Sequence, residues 1–204
     1  MKLHHFLPVV AVMATATAHA ATISATSATT TMGSGFATLL DNTINNVGLT
    51  LPTLTATHAS TLPANSWVSS TGILAGDITF ALGAPVSLDG FSFWNQNNGG
   101  PGLLGVTGIR GLAISYSLDN VSFLPIPGAP TSFAQETGNI SSAQQFSFAP
   151  VTARFVRFGV QSNYGDTAQT GFAEVKFSGS SVPEPTSALF GLALCGVAAV
   201  RRRR

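Results

Sequence analysis

Ala153-Arg154-Phe155-Val156-Arg157-Phe158-Gly159-Val160 decides the fold class of this chain. Val156, Phe158 and Val160 alternate with Phe155, Arg157 and Gly159, the period of two expected of a strand with one buried face. The same alternation recurs on both sides. Leu112, Ile114 and Tyr116 alternate with Ala113, Ser115 and Ser117; Ala173, Val175 and Phe177 alternate with Glu174, Lys176 and Ser178. Further strands are expected over 78–82, 88–94, 121–126 and 145–148, separated by the turn signals Leu82-Gly83-Ala84-Pro85, Asp119-Asn120, Pro127-Gly128 and Asn163-Tyr164-Gly165-Asp166. No long segment has a helical period. Short strands with turn chemistry between them predict an all-β antiparallel sandwich or jelly roll, with Ile114, Tyr116, Val156, Phe158, Val175 and Phe177 facing inward.

The ends read differently. Lys2, His4 and His5 precede an apolar run from Phe6 to Ala14, and Ala18-His19-Ala20 has the small-x-small form that signal peptidase cuts. Residues 1–20 are therefore expected to be a signal peptide, and 21–181 an exported domain. At the other end Val182-Pro183-Glu184-Pro185 is followed by a 15-residue apolar run, 186–200, and then by Arg201, Arg202, Arg203 and Arg204. As a helix that run spans about 22 Å at 1.5 Å per residue. It is a short transmembrane segment whose arginines stay on the cytoplasmic side of the inner membrane.

Composition narrows the function. Of 204 residues 45% are hydrophobic and 8% charged, with much of the apolar excess at the termini. Between Thr22 and Ser181 seven acids face four bases (Arg110, Arg154, Arg157, Lys176), a net charge of −3. A basic footprint for nucleic acid is missing. The single cysteine is Cys195, in the tail, so the exported domain has no disulfide and no thiol chemistry. His58 is its sole histidine and reads as an exposed loop residue, without partners for a triad or a zinc site. Asp77, Asp89 and Asp119 fall at strand edges and turns, where Asp caps backbone, and no spacing pairs them for hydrolysis. A catalytic constellation is not expected. Arg154 and Arg157 fall on opposite faces of one strand and read as structural partners of acids. Trp94-Asn95-Gln96-Asn97-Asn98, opening a loop that runs to Gly102, offers an aromatic beside amides, the groups that sugars prefer. Its alternative is a loop with no ligand.

Two resemblances sharpen these expectations. The C-terminal arrangement of Val182 to Pro185, apolar run and arginine cluster resembles the PEP-CTERM sorting signal of Gram-negative bacteria. That resemblance implies an exosortase-type transpeptidase as partner, transient anchoring in the inner membrane, then release to the cell surface or matrix in an exopolysaccharide or biofilm setting. Asn65-Ser66-Trp67, Asp77 to Gly83, Leu88 to Phe91, the Ser115 to Phe123 hairpin, Ala153 to Phe158 and Gly171 to Phe177, in that order, resemble the discoidin or coagulation factor 5/8 type C domain, a galactose-binding-like fold. Some members carry a structural calcium, which implies Glu174 as a ligand. The acidic residue usually found before the tryptophan is missing from Thr57 to Ser66, leaving backbone carbonyls and Asn65 to complete any site. The functional expectations are a carbohydrate-adhering surface module, a purely structural matrix protein, or, least favoured, a secreted hydrolase.

Overall fold

The computed structural model describes residues 21–98 and 104–182. The signal peptide, the rest of the glycine loop and the tail from Pro183, with Glu184, Pro185 and Arg201 to Arg204, lie outside the described residues. Ten strands are formed: β1 Ala21–Ile23, β2 Ser27–Thr30, β3 Thr57–His58, β4 Trp67–Val68, β5 Gly76–Asn95, β6 Ile109–Ser117, β7 Leu124–Pro125, β8 Ser141–Ser142, β9 Gln144–Asn163 and β10 Gly171–Ser181. A 3-10 turn, Leu40–Thr43, is the only helical element among the described residues. No helix among them is long and apolar enough to cross a membrane.

Two long strands create the sandwich. The first half of β5, from Gly76 to Ala81, pairs with β2 and with the second half of β9. The second half, from Val86, pairs with β10 and with the first half of β9. Both strands thus pass from one layer to the other, and every strand-to-strand pairing is antiparallel. The first layer contains β2, β6 and β7; the second contains β1, β4 and β10. Leu82-Gly83-Ala84-Pro85 therefore ends no strand. It is the bend inside β5, marked by a shift of register between Ala81 and Val86 and by φ of +80° at Gly83. The strand expected over 121–126 shrinks to β7, because Asp119 and Ser117 bind the backbone of residues 119–122 into a turn instead.

The core is aromatic. Phe80 on the first layer meets Phe177 on the second at 5.6 Å, and Phe158 meets Phe91 at 5.4 Å. Phe93 stacks between Phe133 and Phe172. Pairs of this kind add about 0.5–1.5 kcal/mol each beyond area burial. Five of the six residues expected to face inward are buried, and Tyr116 packs half-buried against the same core. The outward side of β10 departs from expectation. Glu174 and Lys176 are buried as well, because residues 46–58 drape over that face of the second layer, Asn46 reaching Glu174 and Leu54 accepting from Ser92 and Gln145.

Candidate functional site

At the end of the sandwich opposite the bends, four loops surround a groove of about 370 Å³. Trp67 builds its first wall. The buried indole donates from Nε1 to the Gly33 carbonyl and to Ser34 Oγ, each at 3.0 Å, so the loop after β2 is tied to the core. Gly35 N–H then bonds the Val68 carbonyl at 2.8 Å, and Ala37 adopts φ of +60°. The chain turns so tightly between them that Phe36 is thrown outward, 97% exposed, at the lip of the groove.

The opposite wall comes from Thr61 to Ser66 and from the amide run after β5. Asn97 Oδ1 accepts from both the backbone N–H and the hydroxyl of Thr61, at 2.8 and 2.9 Å, and Asn98 N–H donates to Thr61 Oγ1. Gln169 is set by its Nε2 bond to the Ser69 carbonyl. Gln96 lines the floor, and its Oε1 is buried without a hydrogen-bond partner among the described residues. An acceptor in that state lacks the donor that buried polar atoms nearly always have.

The expected loop is therefore divided. Gln96 and Asn98 reach the groove, but Trp94 does not offer a face to a ligand. Its ring is fully buried in a small cluster with Ala56 and Ala173, and its Nε1 donates to the Ala56 carbonyl at 2.9 Å. Asn95 is a structural bracket, joining Ile109 and Ala134 to the end of β5. Asn97 is spent on Thr61. The aromatic at the lip of the groove is Phe36 instead, which sits in a Gly/Ser/Ala stretch that drew no expectation from the sequence.

His58 is also misplaced by the sequence. It is fully buried, with Nδ1 at 2.7 Å from the Ala59 carbonyl and Nε2 at 3.2 Å from the Val47 carbonyl. Burial lowers its pKa against the opposing pull of these carbonyls. It braces two loops through these carbonyls. Asp119 accepts from Val121 and Ser122 N–H and from the Ser117 hydroxyl, which holds its pKa at about 2. It is a turn cap, as its position suggested. Arg157 pairs with Asp77 at 3.8 Å, whereas Arg154 bonds the Gly83 carbonyl and, among the described residues, no acid. Among the described residues no three His, Cys, Asp or Glu side chains gather.

The F5/8 type C domain family matches residues 24–175, three quarters of the sequence. The chain belongs to that family. Solved structures share the fold of the F5/8 type C domain at low identity. A CBM32 of AlyQ in complex with 4,5-unsaturated mannuronic acid is 20% identical with TM-score 0.52, over 77% of this chain and 97% of the other. CBM32-3 of a family 31 glycoside hydrolase from Clostridium perfringens is 17% identical with TM-score 0.55, over 77% and 90%. The family 32 CBM of C. perfringens NanJ in complex with galactose is 12% identical with TM-score 0.52, over 78% and 99%. No curated protein matches the sequence.

Glu174 is the ligand expected for a structural calcium. Glu174 is fully buried, and burial pushes its carboxyl up to about 8, against the pull of the Asn46 N–H and of Lys176. The Asn46 N–H lies 3.3 and 3.2 Å from its two oxygens, and Asn46 Oδ1 is buried without a partner among the described residues. Asn65 is not free to assist, since its Oδ1 accepts from Leu62 N–H and its Nδ2 donates to the Ser60 carbonyl. One buried carboxyl and the unpartnered Asn46 Oδ1 are the oxygens offered here to a hard cation, which would take neutral oxygens for its remaining ligands.

Proposed function

We propose that this domain is a non-catalytic carbohydrate-binding module whose ligand enters the end groove. The observation that carries this reading is the combination of exposed Phe36 with the amide side chains of Gln96 and Asn98 lining one preformed groove. A sugar presents C–H groups to an aromatic face and hydroxyl groups to amide and hydroxyl side chains, and this groove carries both. Thr38, Thr61 and Gln169 add further polar contacts along it. The galactose and mannuronic acid complexes of proteins that share the fold support the same ligand class. Affinity electrophoresis in a panel of polysaccharides, comparing the wild type with Phe36→Ala, tests it. Retarded migration that the substitution removes supports the groove. Unchanged migration of the wild type in every gel leaves the structural-matrix alternative.

We also propose that Glu174 and Asn46 Oδ1 hold a structural calcium, which would brace residues 46–58 against β10. For the whole chain we propose cleavage after Ala20, exosortase-type processing at Val182 to Pro185, and display at the cell surface or in an exopolysaccharide matrix. The motif order at the C-terminus and the arginine cluster support that route.

A further inference from the structure

The outer face of the first layer carries a second polar concavity, which shares no lining residue with the end groove. Its floor is set by strand register. Thr29 lies opposite Thr79, and Thr79 lies opposite Arg157, so the three side chains form a row across β2, β5 and β9. Neighbouring strands are about 4.8 Å apart, so the row spans about 10 Å. Asp77 stands one position along on the same face of β5. Asn120, at φ of +61° in the β6–β7 turn, overhangs the row and closes the concavity at about 220 Å³.

Arg157 is held in place before any ligand arrives. Its guanidinium carbon lies 3.6 Å from the centroid of the Phe123 ring, and its Nε donates to Thr79 Oγ1 at 3.3 Å. Stacking fixes the plane of the fork. The contact from Nη1 to Asp77 Oδ2, at 3.8 Å, is longer than a hydrogen bond. Donor and acceptor therefore stand side by side with capacity left on each, and their side chains remain 32% and 45% exposed. A surface pair of this length contributes little stability on its own.

We propose that this cup is a second glycan site, specific for the vicinal diol of a neutral pyranose unit. A hydroxyl group donates and accepts at once, so two adjacent hydroxyls satisfy Asp77 and Arg157 together. The net charge of the cup is zero, so it offers neither an anion nor a cation a net attraction. The Thr29 and Thr79 hydroxyls and the Asn120 amide supply the remaining partners. The volume is below that of a pocket for a drug-sized ligand and suits one sugar ring. Two sites on one rigid domain let it bridge two polysaccharide strands, or bind one strand twice with gain in avidity. The inference shares its ligand class with the end groove but none of its residues, so each stands without the other.

Amide chemical-shift titration of the full chain with methyl galactopyranoside and methyl glucopyranoside tests the cup. Saturable shifts are expected at Thr29, Thr79 and Asn120. Thr29→Ile keeps a β-branched residue on the exposed edge strand, removes the hydroxyl and fills the cup; it should weaken binding there roughly tenfold. Asp77→Asn should weaken it in the same way, while shifts at Thr61 and Gln169, which report the end groove, stay as in wild type. Absence of saturable shifts at the cup with both sugars up to their solubility, or binding there untouched by both substitutions, overturns the proposal. In the wild type, shifts at the cup with none at Thr61 and Gln169 would support the cup and count against the end groove.

Discussion

At the residue scale the most consequential group is Glu174. Its folded pKa of about 8 lies above the ordinary value of 4.5. The folded state therefore holds a proton that the unfolded state releases between those values, and stability falls as pH rises from about 4.5 to about 8. Thermal melts across this range in chelator should show that decline, and Glu174→Gln should flatten it. Calcium favours the ionised carboxylate, so its addition at pH 8 should raise the melting temperature of the wild type and leave Glu174→Gln unmoved. Equal melts with calcium and with chelator at that pH would remove the metal from the site. Phe36 and Trp94 form a contrasting pair. Phe36→Ala should weaken polysaccharide binding about tenfold with little change in stability, because the ring touches solvent rather than core. Trp94→Ala should instead cost about 3–5 kcal/mol in denaturant unfolding, since it empties a fully buried site and orphans the Ala56 carbonyl.

At the scale of elements, the two bent strands determine where everything else goes. Gly90 shows why β5 can lie between its neighbours. A Cβ there would sit 2.4 Å from the Phe146 carbonyl oxygen and 2.9 Å from Ser178 Oγ, so β9 and β10 close on it from both sides. Gly90→Val should push the second layer apart at this point and lower the unfolding midpoint by several degrees, as other severe overpacking does. Gly83→Val, at φ of +80° in the bend, should also destabilise, through backbone strain and through the close approach of its Cβ to Thr26 Cγ2 at 3.1 Å. The alternation in β9 and β10 was legible because each strand presents one face to the phenylalanine core. Their continuity was not legible, since Gly83 and Pro85 punctuate a bend and a turn with the same residues.

At the scale of the whole molecule, a domain without cysteine rests on its aromatic core, on residues 46–58 covering the second layer, and on the proposed calcium. The route of the chain belongs to this scale too. Intact-mass measurement of the cell-surface form should find a protein that begins after Ala20 and ends near Pro185. A native form still ending at Arg204 in the inner membrane would sink the sorting model and leave a simple tail anchor.

The sequence by itself determined the layer chemistry. Period-two alternation and turn residues act over a few positions, and they specify strands, the fold class and the family without reference to distant contacts. Asp119 as a cap was visible for the same reason, its partners being two and three residues away. Only the tertiary structure decided which polar and aromatic groups reach solvent. Trp94 and Phe36 are both large and apolar; one is covered by Ala56 and Ala173, the other is lifted off the core by a loop that Trp67 ties down. Glu174 and Lys176 sit in outward register, yet residues about 120 to 130 positions away bury them. The cup on the first layer arises from Thr29, Asp77, Asn120 and Arg157, which no local pattern connects. Burial and convergence are sums over contacts far apart in the chain, and the fold alone sets those sums.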